Sequence, residues 1–242
     1  MIDIHSHVLP MIDDGAKSVE MALDMLVQAY EDGTDEIIFT PHFAIDYNYI
    51  NPKEKIEGLF EDLKRIIEHE RIPIKVYLGT EYLMSSISSF REHVQEIRTM
   101  NDTSYLLIEF FFDVKEEDML KLVDEVLNHN FIPIIAHAER FKAIQLSISL
   151  AKTLIEKGCV LQMNKGSVLG EFGPYAKETA FDLLERHYYS FVGSDTHHPI
   201  KRNAKMKEAY RLICHYFGLH YADDIFYYNA KDMLKNIDIR KG

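Results

Sequence analysis

MIDIHSHVLPMIDDG, residues 1–15, ends a short apolar strand in a His-x-His pair and then runs into an Asp-Asp-Gly segment. Residues two apart in a strand point to the same side, so His5 and His7 can face one metal ion. Asp13 and Asp14 follow at once, in front of a turn-favouring Gly15. Imidazoles and carboxylates with no cysteine nearby suit a hydrolytic metal site better than a structural zinc knot. A lone His-x-His pair, however, reads equally well as two half-exposed strand histidines. The rest of the chain decides between these readings.

Working outward, short β-rich apolar runs recur at Ile2–His5, Glu36–Thr40, Ile74–Gly79, Tyr105–Phe110, Ile132–Ala136, Cys159–Asn164 and Tyr189–Ser194. Amphipathic helical patterns lie between them. Met21, Ala22, Met25, Leu26 and Ala29 keep helical spacing, with Ser18 as N-cap and Gly33 as the stop. Met119, Leu120, Val123, Val126 and Leu127 do the same in the fourth helix, and Gly158 closes the helical stretch from Leu150 to Lys157. Strands alternating with helices imply a parallel sheet, because each crossover is a βα unit. The expected fold is α/β, a distorted (β/α)7 barrel of TIM-like form; an open doubly wound sheet is the alternative.

The 242 residues fit one domain of the larger kind, 1–242, with no linker or repeat to mark a second. No apolar stretch approaches the ~20 residues of a membrane span. The first strand starts at Ile2, leaving no room for a signal core, so a cytoplasmic location and no direct membrane insertion are expected. The two cysteines, Cys159 and Cys214, read as core thiols rather than a disulfide. Neither has an Arg six residues on, as a cysteine-dependent tyrosine phosphatase would: Lys165 and His220 stand there. A formal net charge of −12 argues against a nucleic-acid partner. It leaves room for a small anion, because bound divalent cations can reverse the local field.

The decisive pattern is position. His42 follows IIFTP, Glu81 follows VYLGT, Glu109 sits within YLLIEFFF, His137 ends FIPIIA, and Asp195 and His197 follow SFVGS. Every candidate lies at or just past the C-terminal end of an expected strand, the edge where barrels gather their catalytic groups. Glu109 is the sharpest case, since a carboxylate among Leu106, Leu107, Ile108 and Phe110 needs either a cationic side chain or a metal. Five histidines (His5, His7, His42, His137, His197) and four carboxylates (Asp14, Glu81, Glu109, Asp195) suit a polynuclear centre of Mn, Fe or Zn. Arg140 and Arg202, three and five residues beyond His137 and His197, stand near the same mouth and offer planar forks for a phosphate. Phe43, Tyr47 and Tyr49 follow His42 and either wall a phenol ring or simply pack. Asn164 and Ser167 follow the one strand without a ligand and read as rim supports. The remaining helical histidines read as surface or packing residues, and His198 is left outside the metal set.

Together these residues closely resemble the PHP superfamily, whose members carry a trinuclear metal site in a distorted seven-stranded barrel. More narrowly, MIDIHSHVLPMIDDGA, TPHF, GTEY, HAER and GSDTHH…R resemble the bacterial manganese-dependent tyrosine-protein phosphatases of capsule and exopolysaccharide operons. The resemblance runs from Met1 to about Arg202. It implies one metal on His5, His7, Glu81 and Asp195, a second on Asp14, His42 and His197, and a third on Glu81, Glu109 and His137, with Mn²⁺ as the ion. It also implies phosphate-binding roles for Arg140 and Arg202, although Ala138 stands where the family usually has Pro. The implied substrate is a phosphotyrosine protein, the Tyr-rich tail of a membrane-bound tyrosine autokinase that controls polysaccharide export. Two rival readings are a PHP phosphatase of a small metabolite such as histidinol phosphate, and a non-enzymatic metal-binding regulator of export.

Overall fold

The computed structural model describes residues 1–241. Its strands are β1 (Ile2–Ser6), β2 (Glu36–Phe39), β3 (His42–Phe43), β4 (Lys75–Leu78), β5 (Glu81–Leu83), β6 (Tyr105–Glu109), β7 (Ile132–Ile135), β8 (Val160–Asn164) and β9 (Tyr189–Gly193). All pair in parallel, in two sheets ordered β1-β2-β4 and β3-β5-β6-β7-β8-β9. Two of the nine segments continue a predecessor, so the expected seven staves are present. β3 resumes β2 beyond Thr40-Pro41, and β5 resumes β4 beyond Gly79-Thr80. Pro41 has no amide to give the ladder, which accounts for the first interruption. The sheets meet again at the far side. Ser6 bridges Thr196 in parallel, His7 N–H donates to Thr196 O at 2.9 Å, and Asp195 N–H donates to His5 O at 2.8 Å. The barrel closes there, between the first stave and the last.

The helices are α1 (Val19–Glu31), α2 (Lys53–His69), α3 (Ile87–His93), α4 (Glu116–Asn128), α5 (Lys142–Leu146), α6 (Ile148–Lys157), α7 (Lys165–Leu169), α8 (Pro174–Glu185) and α9 (Lys207–Phe217), followed by short C-terminal turns. Ser18 caps α1 as expected, its Oγ accepting the Met21 amide at 3.2 Å, and Gly33 leaves the helix with φ 101°. Gly158 ends α6 in the same left-handed way, at φ 109°. On α4 the core face differs slightly from the sequence pattern. Met119, Leu122, Val123 and Val126 are buried, whereas Leu120 and Leu127 lie half-buried at the edge. Both cysteines are free thiols, Cys159 buried and Cys214 half-buried. Among the described residues no helix is long and apolar enough to cross a membrane.

Strand alternation divides the apolar groups into two layers. On β6, Leu106 and Ile108 join the large cluster packed under the helices. Tyr105 and Leu107 face the other way, beside Ile38, Ile134, Val160 and Phe191. Glu109 continues the Tyr105–Leu107 column, so this inner apolar layer forms the floor of the polar centre above it. Replacing Leu107 by Ala removes a fully buried side chain from that floor and should cost about 2–5 kcal/mol. Urea unfolding of the metal-loaded protein measures it, and a loss below about 1 kcal/mol would show that the floor repacks freely.

Candidate metal centre

Each of the nine expected ligands reaches one cluster at the C-terminal mouth of the barrel. The Nε2 atoms of His5 and His7 lie 3.2 Å apart, and Glu81 Oε2 stands 3.0 and 3.2 Å from them. Their other ring nitrogens fix the tautomers. His5 Nδ1 is 3.1 Å from Gln162 Oε1, and His7 Nδ1 is 2.9 Å from Asp13 Oδ2, both acceptors only, so each imidazole must donate through Nδ1. Two bare lone pairs therefore point at each other and at a carboxylate. Among the described residues nothing relieves that arrangement; a proton or a cation must sit between them. His197 repeats the pattern: Nδ1 donates to the Asp195 carbonyl at 2.9 Å, leaving Nε2 3.2 Å from Asp14 Oδ1. The donor set thus fits divalent ions bound through nitrogen and oxygen.

Three groups of mutually close donor atoms overlap: His5, His7 and Glu81; His7, Asp14, His42 and His197; and His42, Glu81 and Glu109. This grouping differs in detail from the implied one. His7 also belongs with the second group. In the third, His42 Nδ1 lies 3.2 Å from both Glu81 Oε2 and Glu109 Oε1, whereas His137 Nε2 is 3.1 Å from Glu81 Oε1 and 3.6 Å from Glu109 Oε2. Asp195 Oδ1 is 3.5 Å from the Nε2 of His5 and of His7. Its Oδ2 instead accepts from Asn164 Nδ2 at 2.8 Å and meets Arg202 Nη2 at 2.5 Å and Arg140 Nη1 at 3.5 Å. Both arginines therefore reach the site, and Ala138 has not moved Arg140 away from it.

Several supporting residues escape a motif search. Asp13, half of the Asp pair, is buried; it orients His7 and accepts the backbone N–H of His42 at 3.0 Å and of Gly15 at 2.8 Å. Burial would raise its carboxyl pKa, but the neighbouring His7 outweighs that and holds it at about 2. Gly15 is required by close approach, not by a turn: a Cβ there would fall 2.1 Å from the His7 carbonyl oxygen. The ligandless strand β8 proves to be the scaffold. Gln162 Oε1 also accepts the His137 N–H at 2.9 Å, and Asn164 holds Asp195. Buried Glu139 accepts from Ser167 Oγ at 2.5 Å, the Asn164 N–H at 3.0 Å and the Tyr189 hydroxyl at 3.0 Å. Asn164 and Ser167 thus support the rim as read. Gln162 shares the strand face of Asn164, two residues before it, and that spacing is the signal the sequence offers.

Backbone strain concentrates in the same place. His137, Asp195 and Arg202 adopt φ of 36°, 52° and 50°, a region that side chains other than Gly and Asn seldom enter. The mouth itself is a cavity of about 360 Å³, bordered by Tyr47, Tyr49, Phe111 and Phe112 as well as both arginines and the candidate ligands other than His5, His7 and His197. Tyr49 stacks on His42 at a centroid distance of 5.8 Å. Phe43, in contrast, is fully buried in the core and walls nothing.

A cluster of imidazoles and carboxylates with two guanidinium groups, at the mouth of a seven-stranded parallel barrel, defines the class: a metal hydrolase on a TIM-like scaffold. The family described as capsular polysaccharide synthesis, CpsB/CapC, matches residues 1–235, and the chain belongs to it. The tyrosine-protein phosphatase CpsB of Streptococcus agalactiae serotype V is 31% identical over 241 residues, covering 98% of this chain and 99% of the relative. The tyrosine-protein phosphatase YwqE of Bacillus subtilis is 34% identical over 218 residues, covering 90% and 85%. A chain from the crystal structures of B. subtilis YwqE and Streptococcus pneumoniae CpsB, metal-dependent tyrosine phosphatases, superposes with a TM-score of 0.90 at 33% identity, over 98% of this chain and 95% of that one. The histidinol phosphate phosphatase of Lactococcus lactis shares the fold, with a TM-score of 0.54, 16% identity and coverage of 93% and 94%.

Two expectations follow for metal binding. Asp13→Ala leaves every ligand in place but frees the His7 ring, and should weaken metal affinity about 10–100-fold. Competition with a fluorescent chelator reads this directly, and unchanged affinity would remove Asp13 from the support of the centre. The second expectation concerns protons. In the metal-free chain burial opposes charge on His7, but Asp13 overrides it and lifts the imidazole well above 6.5. On His137 burial likewise opposes charge, yet the bonds to Glu109 and Glu81 raise it to about 9. Both rings therefore hold a proton at pH 7 that a metal must displace, so loading should release protons at pH 7 and progressively fewer as pH rises past about 9. Calorimetry in buffers of different ionisation enthalpy counts them; no release at pH 7 would contradict it.

Proposed function

We propose that this protein is a metal-dependent protein-tyrosine phosphatase of capsular or extracellular polysaccharide synthesis, a PHP-type enzyme of the cytoplasm with Mn²⁺ as its ion. The observation that carries the reading is the pair of guanidinium groups, Arg140 and Arg202, meeting one carboxylate oxygen of a cluster whose imidazole lone pairs demand cations. The names of the relatives and the family description support the substrate class and the process. The substrate we assign is phosphotyrosine on the Tyr-rich tail of a membrane-bound tyrosine autokinase.

In this reading His5, His7, Asp14, His42, Glu81, Glu109, His137, Asp195 and His197 hold up to three divalent ions. When bound, such ions supply Lewis-acid activation of water and neutralise charge on a phosphoryl group. The protein's own part is positioning. Arg140 and Arg202 take the non-bridging phosphate oxygens, where charge concentrates in the transition state. Tyr47, Tyr49 and Phe112 border the cavity and accept the phenol ring of the leaving group. Asp195 keeps the two guanidinium groups close despite their mutual repulsion. Burial works against its ionisation, but the Arg202 charge holds its carboxyl well below the usual range, so that anion persists at working pH. A cysteine route is unsuited: burial pushes the Cys159 thiol up to about 12, far from a nucleophilic thiolate.

Purified protein should lose turnover of a phosphotyrosine peptide on chelation and regain it best with Mn²⁺, and it should prefer that peptide to histidinol phosphate. Arg140→Ala and Arg202→Ala should keep their metals, since a cation is no ligand to one, and lose about 10²-fold or more in turnover. Lysine at either position should restore only part, lacking the bidentate fork. Full activity in protein shown by elemental analysis to be metal-free would overturn the reading, and a preference for histidinol phosphate would move the substrate to the small-metabolite class.

A further inference from the structure

Arg140 is held unlike any other cation of the site. Its guanidinium carbon sits over the Phe112 ring at 4.4 Å and over the Phe172 ring at 4.3 Å. Among the described residues its guanidinium N–H groups make no hydrogen bond to the protein, and its nearest carboxylate contact is the 3.5 Å approach to Asp195. Arg202 is held in the opposite way, by a 2.5 Å ion pair to Asp195. A ring face attracts a cation through its quadrupole without occupying any of the N–H donors. Arg140 is thus fixed while its donors stay free for an incoming anion.

Phe112 lines the catalytic cavity, but Phe172 does not, and no motif of the site includes it. It lies in the turn between α7 and α8, bracketed by Gly170 at φ 88° and Gly173 at φ 87°. That turn is tied down on the side of β8. Glu171 N–H donates to Gly166 O at 2.9 Å, and the buried Lys165 reaches Glu171 Oε1 at 3.3 Å and Asn203 Oδ1, next to Arg202, at 3.4 Å. Gly166 leaves the space that Phe172 uses: a Cβ there would meet Phe172 Cε2 at 2.8 Å and Glu171 Oε2 at 2.5 Å. The loop after the ligandless strand is therefore built to bring one aromatic ring onto Arg140.

We propose that Phe172 is a positioning residue for phosphoryl transfer, holding the Arg140 guanidinium by its ring face so that the arginine's donors are presented to the substrate phosphate. This rests on the reading of Arg140 as a phosphate ligand. Phe172→Leu keeps apolar volume and removes the quadrupole; Phe172→Tyr keeps the ring. With metal-loaded protein, Phe172→Leu should retain its metal content and lose about tenfold in kcat on a phosphotyrosine peptide. Its affinity for inorganic phosphate, read by calorimetry, should fall in parallel, and Phe172→Tyr should restore both. In an Arg140→Ala background Phe172→Leu should cause no further loss, because the group it positions is gone.

Wild-type kinetics and phosphate affinity in Phe172→Leu, with Arg140→Ala impaired, would overturn the positioning role and leave the arginine's role standing. An equal loss in both backgrounds, or failure of tyrosine to restore, would make Phe172 a packing residue only and also overturn it. Wild-type turnover in Arg140→Ala would remove the phosphate ligand itself, and the positioning role with it.

Discussion

The structure depends on a set of lone pairs that cannot be left facing one another. His5 and His7 bring bare Nε2 atoms within 3.2 Å, against a buried carboxylate, because Gln162 and Asp13 have already taken their N–H groups. In water such an array would rotate apart. Here each ring is locked from behind, so the repulsion is stored until a cation or proton relieves it. Other features serve that lock: the absent Cβ at Gly15, the left-handed backbone at His137 and Asp195, and the inner apolar floor on which the polar groups rest. The acidic character of the whole chain is compatible with an anionic substrate for the same reason. With divalent ions held by the donor cluster, an approaching phosphate would meet their charge and two guanidinium groups rather than the net charge of the chain.

Much of this could be read from the amino-acid order because barrels separate floor from mouth along each strand. The seven apolar runs became seven staves, and residues at their ends became the cluster, since strand alternation and the strand-end rule act locally. What stayed hidden was tertiary. The split at Thr40-Pro41 and Gly79-Thr80, which places His42 and Glu81 on their own short strands, depends on how neighbouring staves register. The approach of His42 to Glu81 and Glu109, alongside His137, depends on ring orientations that no spacing encodes. Gln162 and Glu139 look like ordinary polar residues until the hydrogen bonds from His137, Asn164 and Tyr189 are seen to end on them. Phe172 gave no sign at all, because an aromatic in a Gly-flanked turn has no periodicity to report.

The two arginines illustrate two solutions to one problem. A guanidinium beside metal ions must be kept from drifting to the nearest carboxylate. Arg202 accepts that contact and stays useful because Asp195 is itself fixed, by Asn164 and by a strained backbone. Arg140 makes only the longer, 3.5 Å approach to the same carboxylate and is held chiefly by aromatic faces. Removing one device need not disturb the other, which is why the two positions can differ in how they divide binding and rate.

The closure of the barrel has a consequence for how the enzyme comes into being. The first stave, which carries His5 and leads into His7, pairs along one edge with β2, but its other edge is closed only by Asp195 and Thr196, nearly two hundred residues later in the chain. Until that late segment emerges, the opening histidines have carboxylate company but no completed ring. A chain that stops short of Asp195 therefore lacks both the closing edge of the barrel and two of the nine candidate ligands, Asp195 and His197.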